Sequence, residues 1–191
     1  MQIQAACAYI IGELTSRLVP QLTYHSVQHT HDVAEQADRI ARAEGINDDE
    51  SLNLLKTAAY YHDAGFLVTY DEHEVESCQL AMRSLPAFGY TPEQIDQICQ
   101  MIRATRTPQT PTTLLGAILC DADLDYLGRD DYYQISQTLL TEWIAYNRLA
   151  DPARWPHIQR SFLTNHQYFT STNQQLREPY KQQIIAAIRT E

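Results

Sequence analysis

Glycine and proline are scarce, at 6 and 8 in a chain of 191 residues. Folds made of many tight turns, and collagen-like or low-complexity chains, need more of both, so the shortage points to helices with few breaks. Basic side chains are also few, 14 against 24 acidic, for a formal charge of -10. A field of that sign repels polyanions and excludes a nucleic-acid grip built on lysine and arginine. Long apolar runs are missing. Uninterrupted stretches of apolar residues and glycine, such as Leu114 to Cys120, fall far short of the roughly 20 residues that span a bilayer, so no membrane helix is expected. The N-terminal segment has no positive stretch ahead of its apolar part and meets Glu13 early. It does not read as a secretory signal, and a cytoplasmic location is expected. The four cysteines, Cys7, Cys78, Cys99 and Cys120, form no CxxC pair. Each falls on an apolar helical stripe, and all four are expected as free, buried thiols.

Helical periodicity runs through nearly the whole chain. Ile3, Cys7, Ile10, Leu14 and Leu18 predict a helix ending at Pro20, and Val33, Ala37, Ile40 and Ala41 one ending at Gly45. After the start signal Asn47 to Glu50, the positions Leu52, Leu55, Ala58, Ala59 and His62 predict a third, closing at His62-Asp63. Val75, Cys78, Met82 and Leu85 mark a fourth, and Thr91-Pro92-Glu93 caps a fifth that carries Ile95, Ile98 and Ile102. Leu115, Ile118, Leu119 and Ala122 give a sixth. Tyr132 to Tyr146, Trp155 to about Phe169, and a last stretch with Leu176, Tyr180, Ile184 and Ile188 complete the series. No strand pattern competes, and connections are short. Residues 1–191 are therefore expected as one all-α domain, a compact multi-helix bundle with a helical appendage at about 150–191.

Histidines and aspartates gather in three places: Tyr24-His25-Ser26-Val27-Gln28-His29-Thr30-His31-Asp32, His62-Asp63, and Asp121-Ala122-Asp123-Leu124-Asp125. Helical phase places His29 on the stripe of Val33, His62 on that of Leu55 and Ala58, and Asp123 on that of Leu115 and Leu119, so three polar groups point inward. Burying a carboxylate or an imidazole alone costs several kcal/mol, whereas a divalent cation neutralises the one and uses the lone pair of the other. Neighbours such as His62 and Asp63 can share one ion where a helix end loosens. His31 and Asp32 fall off the stripe and are expected in solvent, as is Lys56.

This order of residues, H, then HD, then D, resembles the HD superfamily of metal-dependent phosphohydrolases. The likeness spans about residues 24–130 and implies an all-α HD-domain bundle. It implies His29, His62, Asp63 and Asp123 as metal ligands, with Asp123 preferred over its rivals Asp121 and Asp125 for its Ala-Asp-Leu context. YHSVQHTHDV is similar to the YHN-x-x-H segment of cyclic-nucleotide phosphodiesterases, with Ser26 in place of asparagine, and this implies His25 as the acid for the leaving oxygen. His73, ten residues beyond the pair, corresponds to a histidine that two-metal members use for a second ion. Where such members offer another, this chain reads Ile102-Arg103-Ala104-Thr105-Arg106.

The donor set of imidazole and carboxylate suits manganese, magnesium, iron, cobalt, nickel or zinc. Arg106, four residues past Ile102, is expected on the inward edge of the fifth helix, where a guanidinium can hold phosphate oxygens. The resulting expectation is a phosphoester hydrolase for a small phosphorylated molecule, a nucleotide or cyclic nucleotide. Two alternatives are an HD-fold di-iron oxygenase, which two irons per chain would favour, and a nucleotide-sensing module without turnover.

Overall fold

Several helix starts in this chain carry side chains that accept from the unpaired first-turn amides. Ser26 accepts from the His29 amide at 3.3 Å, Asp48 from that of Ser51 at 2.8 Å, and Thr113 from that of Gly116 at 3.1 Å. Thr91 and Gln94 form a reciprocal capping box with Pro92 in the first turn. The computed structural model describes residues 1–189. Among them the chain forms α1 (Ile3–Arg17), α2 (Val27–Ala43), α3 (Asp49–Tyr61), α4 (His73–Ser84), α5 (Pro92–Ala104), α6 (Leu114–Asp123), α7 (Tyr132–Ala145), α8 (Trp155–Asn165), α9 (Ser171–Leu176) and α10 (Glu178–Ala187), and no strand. The fold is all-α, and no helix among the described residues is long and apolar enough to cross a membrane.

Helices α2, α3, α5 and α6 pack around one another, with α1 against α3 and α4 against α5. Their apolar stripes meet in a core whose largest fully buried members include Ile10, Ile40, Leu55, Ile98, Ile102 and Leu119. All four cysteines are free and buried. A second, smaller cluster joins Tyr24 and Tyr126 to Leu163, Ile184 and Ile188, tying the last helices to the 3-10 turn Asp125–Gly128. Gly128 sits where any Cβ would come within 2.4 Å of the Arg177 carbonyl oxygen, so α10 approaches this turn only because the side chain is absent.

Three sequence expectations shift. The helix expected to reach Phe169 ends at Asn165, because the amides of Phe169 and Thr170 donate to the Asp121 carboxylate at 2.8 and 2.9 Å instead of to helical carbonyls. The final stretch is two helices, α9 and α10, meeting at Arg177, with Pro179 in the first turn of the second. In α4 the buried face carries Glu74, Ser77, Cys78 and Ala81, while Val75 and Met82 are 44% and 49% exposed. Polar residues take the inner face there because they serve the site described next.

Candidate metal centre

Both acidic ends of the site sit where an α-helix tightens into a 3-10 turn. The α3 helix ends at Tyr61, His62 keeps helical angles, Asp63 moves to φ -103°, ψ 6°, and the turn Ala64–Leu67 follows. The α6 helix ends at Asp123 ahead of Asp125–Gly128. Such a change of pitch swings consecutive side chains together. His62 Nε2 and Asp63 Oδ2 thereby come within 3.2 Å. Ser77 fixes the bend: its hydroxyl donates to the His62 carbonyl at 2.7 Å and accepts from the Gly65 amide at 2.8 Å. A Cβ at Gly65 would lie 1.9 Å from the His73 carbonyl oxygen, so glycine is required for α4 to close on the turn.

From the first turn of α2, His29 brings Nε2 to 3.3 Å from Asp63 Oδ2, 3.2 Å from Asp123 Oδ1 and 3.3 Å from His62 Nε2. His62 Nε2 is also 3.6 Å from Asp123 Oδ1. Bonds from a divalent ion to imidazole nitrogen and carboxylate oxygen are about 2.0–2.2 Å, which puts adjacent donors roughly 3.0–3.5 Å apart. The spacing here is that of donors around a shared ion. His29, His62 and Asp123 alone offer three atoms within 4.8 Å of one another. The His62 ring donates from Nδ1 to the Ala59 carbonyl at 2.7 Å, which orients Nε2 into the cluster. Asp63 Oδ2 is buried and accepts no hydrogen bond. A buried carboxylate oxygen facing two imidazole nitrogens without a proper hydrogen bond is a place a cation fits.

Burial alone lowers the His29 pKa, but Asp123 and Asp63 reverse this and push it up to about 9. His62 is likewise pulled down by burial and carried well above its ordinary value by the same carboxylates. Burial raises Asp63 and Asp123, yet the facing imidazoles hold the first well below the carboxylate range and the second at about 2. The carboxylates thus favour the charged form of these rings, and a metal entering the cluster has to displace that proton. His29, raised in the folded state above the ordinary 6.5, adds stability below pH about 6.5 that disappears as pH rises through about 9. Metal-free protein is therefore expected to lose thermal stability over that interval, while the stabilisation produced by added manganese or zinc grows. Parallel melting curves across pH 6–9.5 check this, and curves of the same slope with and without metal would contradict it.

The rival aspartates are occupied elsewhere. Asp121 accepts from the Phe169 and Thr170 amides and the Thr170 hydroxyl. Asp125, fully buried, is paired with Arg39 at 2.7 Å and Arg177 at 2.9 Å and accepts from Asn173. Arg106 departs from its expected place. The α5 helix stops at Ala104, so its phase does not continue, and the guanidinium is exposed and bonded to Glu72 at 3.1 Å. His31 and Lys56 lie in solvent as expected, whereas Asp32 is half-buried and receives two 2.9 Å hydrogen bonds from Arg129.

His25 and His73 come to the site's edge. His73 Nε2 is 3.3 Å from Asp63 Oδ1, the oxygen facing away from His29. His25 Nδ1 is 2.5 Å from Glu142 Oε1. Glu142, fully buried on α7, also accepts from the Tyr24 and His25 amides and the Tyr70 hydroxyl. Nothing in the sequence marked Glu142, which lies 117 residues from His25 on a helix with no other charged side chain. Burial raises its pKa, but the His25 imidazole outweighs that and keeps it lowered. A cavity of about 310 Å³ opens on the cluster, with Asp63, Asp123, His25 and His73 at one end of its wall.

The family model for the HD domain matches residues 26–125, just over half of the chain. The chain belongs to the HD family. Two solved structures share the fold. One is a predicted HD superfamily hydrolase from an uncultured Thermotogales bacterium, 23% identical, covering 94% of this chain and 87% of that one with a TM-score of 0.63. The other is a Lactobacillus plantarum protein, 18% identical, covering 97% and 96% with a TM-score of 0.68. Comparison with curated proteins gives no match. The matched segment of this HD protein contains His29, His62, Asp63 and Asp123, so family and geometry together support a metal-dependent hydrolase in general.

Proposed function

We propose that this HD protein is a metal-dependent phosphohydrolase that cleaves a small phosphorylated molecule. The observation that carries the reading is the convergence of His29, His62, Asp63 and Asp123, with Asp63 Oδ2 left without a hydrogen bond, at the mouth of a cavity. These four residues would hold a divalent ion, which would supply Lewis acidity and a water acidic enough to attack near neutral pH. The chain does the rest. His29 and His62 present neutral Nε2 lone pairs once their protons leave, and Ala59 fixes the second ring's tautomer through its carbonyl. Hydrolysis adds water across the ester: a P–O bond forms to the water oxygen, the P–O bond to the alcohol breaks, and the departing oxygen takes a proton. In this reading His25 gives that proton, which is supported by Glu142 occupying its Nδ1 and leaving Nε2 free of that bond.

Elemental analysis combined with a screen of phosphoesters under manganese, magnesium, iron, cobalt, nickel and zinc tests the proposal. The expected result is at least one bound ion per chain and turnover with at least one of these metals. His25→Gln is expected to lower kcat by about 10²–10⁴ with metal content unchanged. Absence of bound metal, or of turnover with every metal, overturns the reading. The position of His73 on the second oxygen of Asp63 favours one competitor, a two-metal centre. Two irons per chain with oxygen consumption would put an oxygenase ahead of a hydrolase.

A further inference from the structure

The metal-binding candidates come from α2, α3 and α6, inside the family-matched residues 26–125. The wall opposite comes from beyond them. Its far wall is Tyr132, Leu139 and Trp143 of α7 with Trp155, Ile158 and Phe162 of α8. Trp143 and Trp155 meet edge to face, centroids 5.5 Å apart, as one continuous aromatic surface. The polar groups at that end are engaged with each other: the Gln159 amide donates to the Tyr132 hydroxyl at 3.0 Å and to the Ser136 hydroxyl at 2.5 Å. Among the described residues no lysine or arginine lines the cavity, and its one further charged side chain, Glu74, is acidic. The guanidinium groups near its lining residues in the chain turn elsewhere: Arg106 is bonded to Glu72 and Arg129 to Asp32 and Asp131, Arg160 donates to the Ile188 carbonyl, and Arg154 is exposed and outside the cavity wall.

Resting on the hydrolase reading above, we infer that the chamber built by α7 and α8 takes the leaving group, and that the substrate is a monophosphate ester of a flat, apolar, aromatic alcohol. One phosphate can be neutralised at the metal cluster. Each additional phosphate would enter an uncharged or acidic wall without a cation, which costs several kcal/mol for a desolvated charge and excludes nucleoside di- and triphosphates. A flat ring instead removes apolar surface from water and stacks on the tryptophan pair. A volume of about 310 Å³, at the lower end of the roughly 300–1,000 Å³ typical of ligand sites, suits a bicyclic ring and not a long chain. The reaction is then R–O–PO₃²⁻ plus water giving R–OH and inorganic phosphate, with the new P–O bond from water and the released alcohol left in the chamber.

The two tryptophans of the chain both line this chamber, so intrinsic fluorescence reports on it directly, without metal or turnover. Titrating metal-free protein with 2-naphthol is expected to change tryptophan emission saturably with Kd below about 1 mM, and glycerol 3-phosphate, AMP and ATP are expected to bind at least tenfold more weakly. Ile158→Glu should weaken 2-naphthol at least tenfold, and Leu139→Trp, which fills the same space without charge, should do the same. In metal-loaded protein, kcat/KM for 2-naphthyl phosphate should exceed that for glycerol 3-phosphate at least 100-fold. Unsaturable fluorescence, tighter binding of AMP or ATP than of 2-naphthol, or unchanged binding in both folded variants overturns the inference. The two readings fail separately. Saturable naphthol binding with no phosphoester cleaved under any metal removes the phosphohydrolase and leaves the chamber, while equal turnover of all phosphate esters removes the chamber assignment and leaves the phosphohydrolase.

Discussion

Asp63→Ala is expected to lower bound metal from about one ion per chain to below about 0.1 and to reduce phosphoester turnover by about 10³-fold or more. The side chain has no visible structural duty: no backbone amide donates to it, its Oδ2 accepts no hydrogen bond, and its neighbours are the imidazoles of His29, His62 and His73. Helical content measured by circular dichroism should therefore be unchanged. Loss of a ligand shows most clearly in the thermal shift. With metal at about 1,000 times its Kd the wild type gains about 4 kcal/mol, or about 8–16 °C for a chain of this size, and the variant should gain nothing. A folded Asp63→Ala protein that still carries a full ion and melts with the wild-type shift would remove Asp63 from the metal centre. Asp63→Asn separates shape from charge, since the amide preserves volume but loses the anionic donor, and it should resemble the alanine variant.

What could be read in advance was whatever repeats along one helix. The apolar stripes of α1, α2, α3, α5 and α6 and the caps at Asp48 and Thr91 are local patterns. The inward phase of His29, His62 and Asp123 follows from the same periodicity, so the cluster was visible as three polar residues on buried faces. Features set by contacts between distant segments were not. Asp121 ends α8 early by drawing off amides that lie 48 and 49 residues away. Ser77 and Glu74 take the inner face of α4 because the His62-Asp63 bend needs a hydroxyl there, and Val75 and Met82 are turned outward. Arg106 failed for a local reason: phase was extended past the last helical residue, Ala104. The aromatic chamber was legible only as apolar periodicity in α7 and α8, and apolar periodicity does not distinguish a packed core from a lined cavity.

Two aspartates two residues apart should answer substitution in opposite ways. Asp123→Ala removes a donor 3.2 Å from His29 Nε2 and should empty the metal centre, with little change in the stability of the metal-free protein above pH about 9, where the pairing with charged His29 no longer contributes. Asp125→Ala should leave metal binding intact in the folded fraction and destabilise the fold by about 3–5 kcal/mol, lowering Tm by about 6–20 °C. The reason is electrostatic. Asp125 is fully buried and holds Arg39 of α2 and Arg177 at the junction of α9 and α10, with Arg129 at 3.6 Å. Without it three guanidinium groups, half-buried in the case of Arg39, face one another and the Asn173 amide loses one of its two acceptors. Asp125 is the buried carboxylate linking α2 to the last helices, alongside the bonds from Ser171 and Thr172 to Glu44 at the end of α2, so its loss should release α9 and α10 first. Hydrogen exchange should therefore rise in residues 171–187 before it rises in α3 or α5. Metal depletion in folded Asp125→Ala protein, or a large stability loss in metal-free Asp123→Ala protein above pH about 9, would exchange the two assignments and place the ion on the other carboxylate.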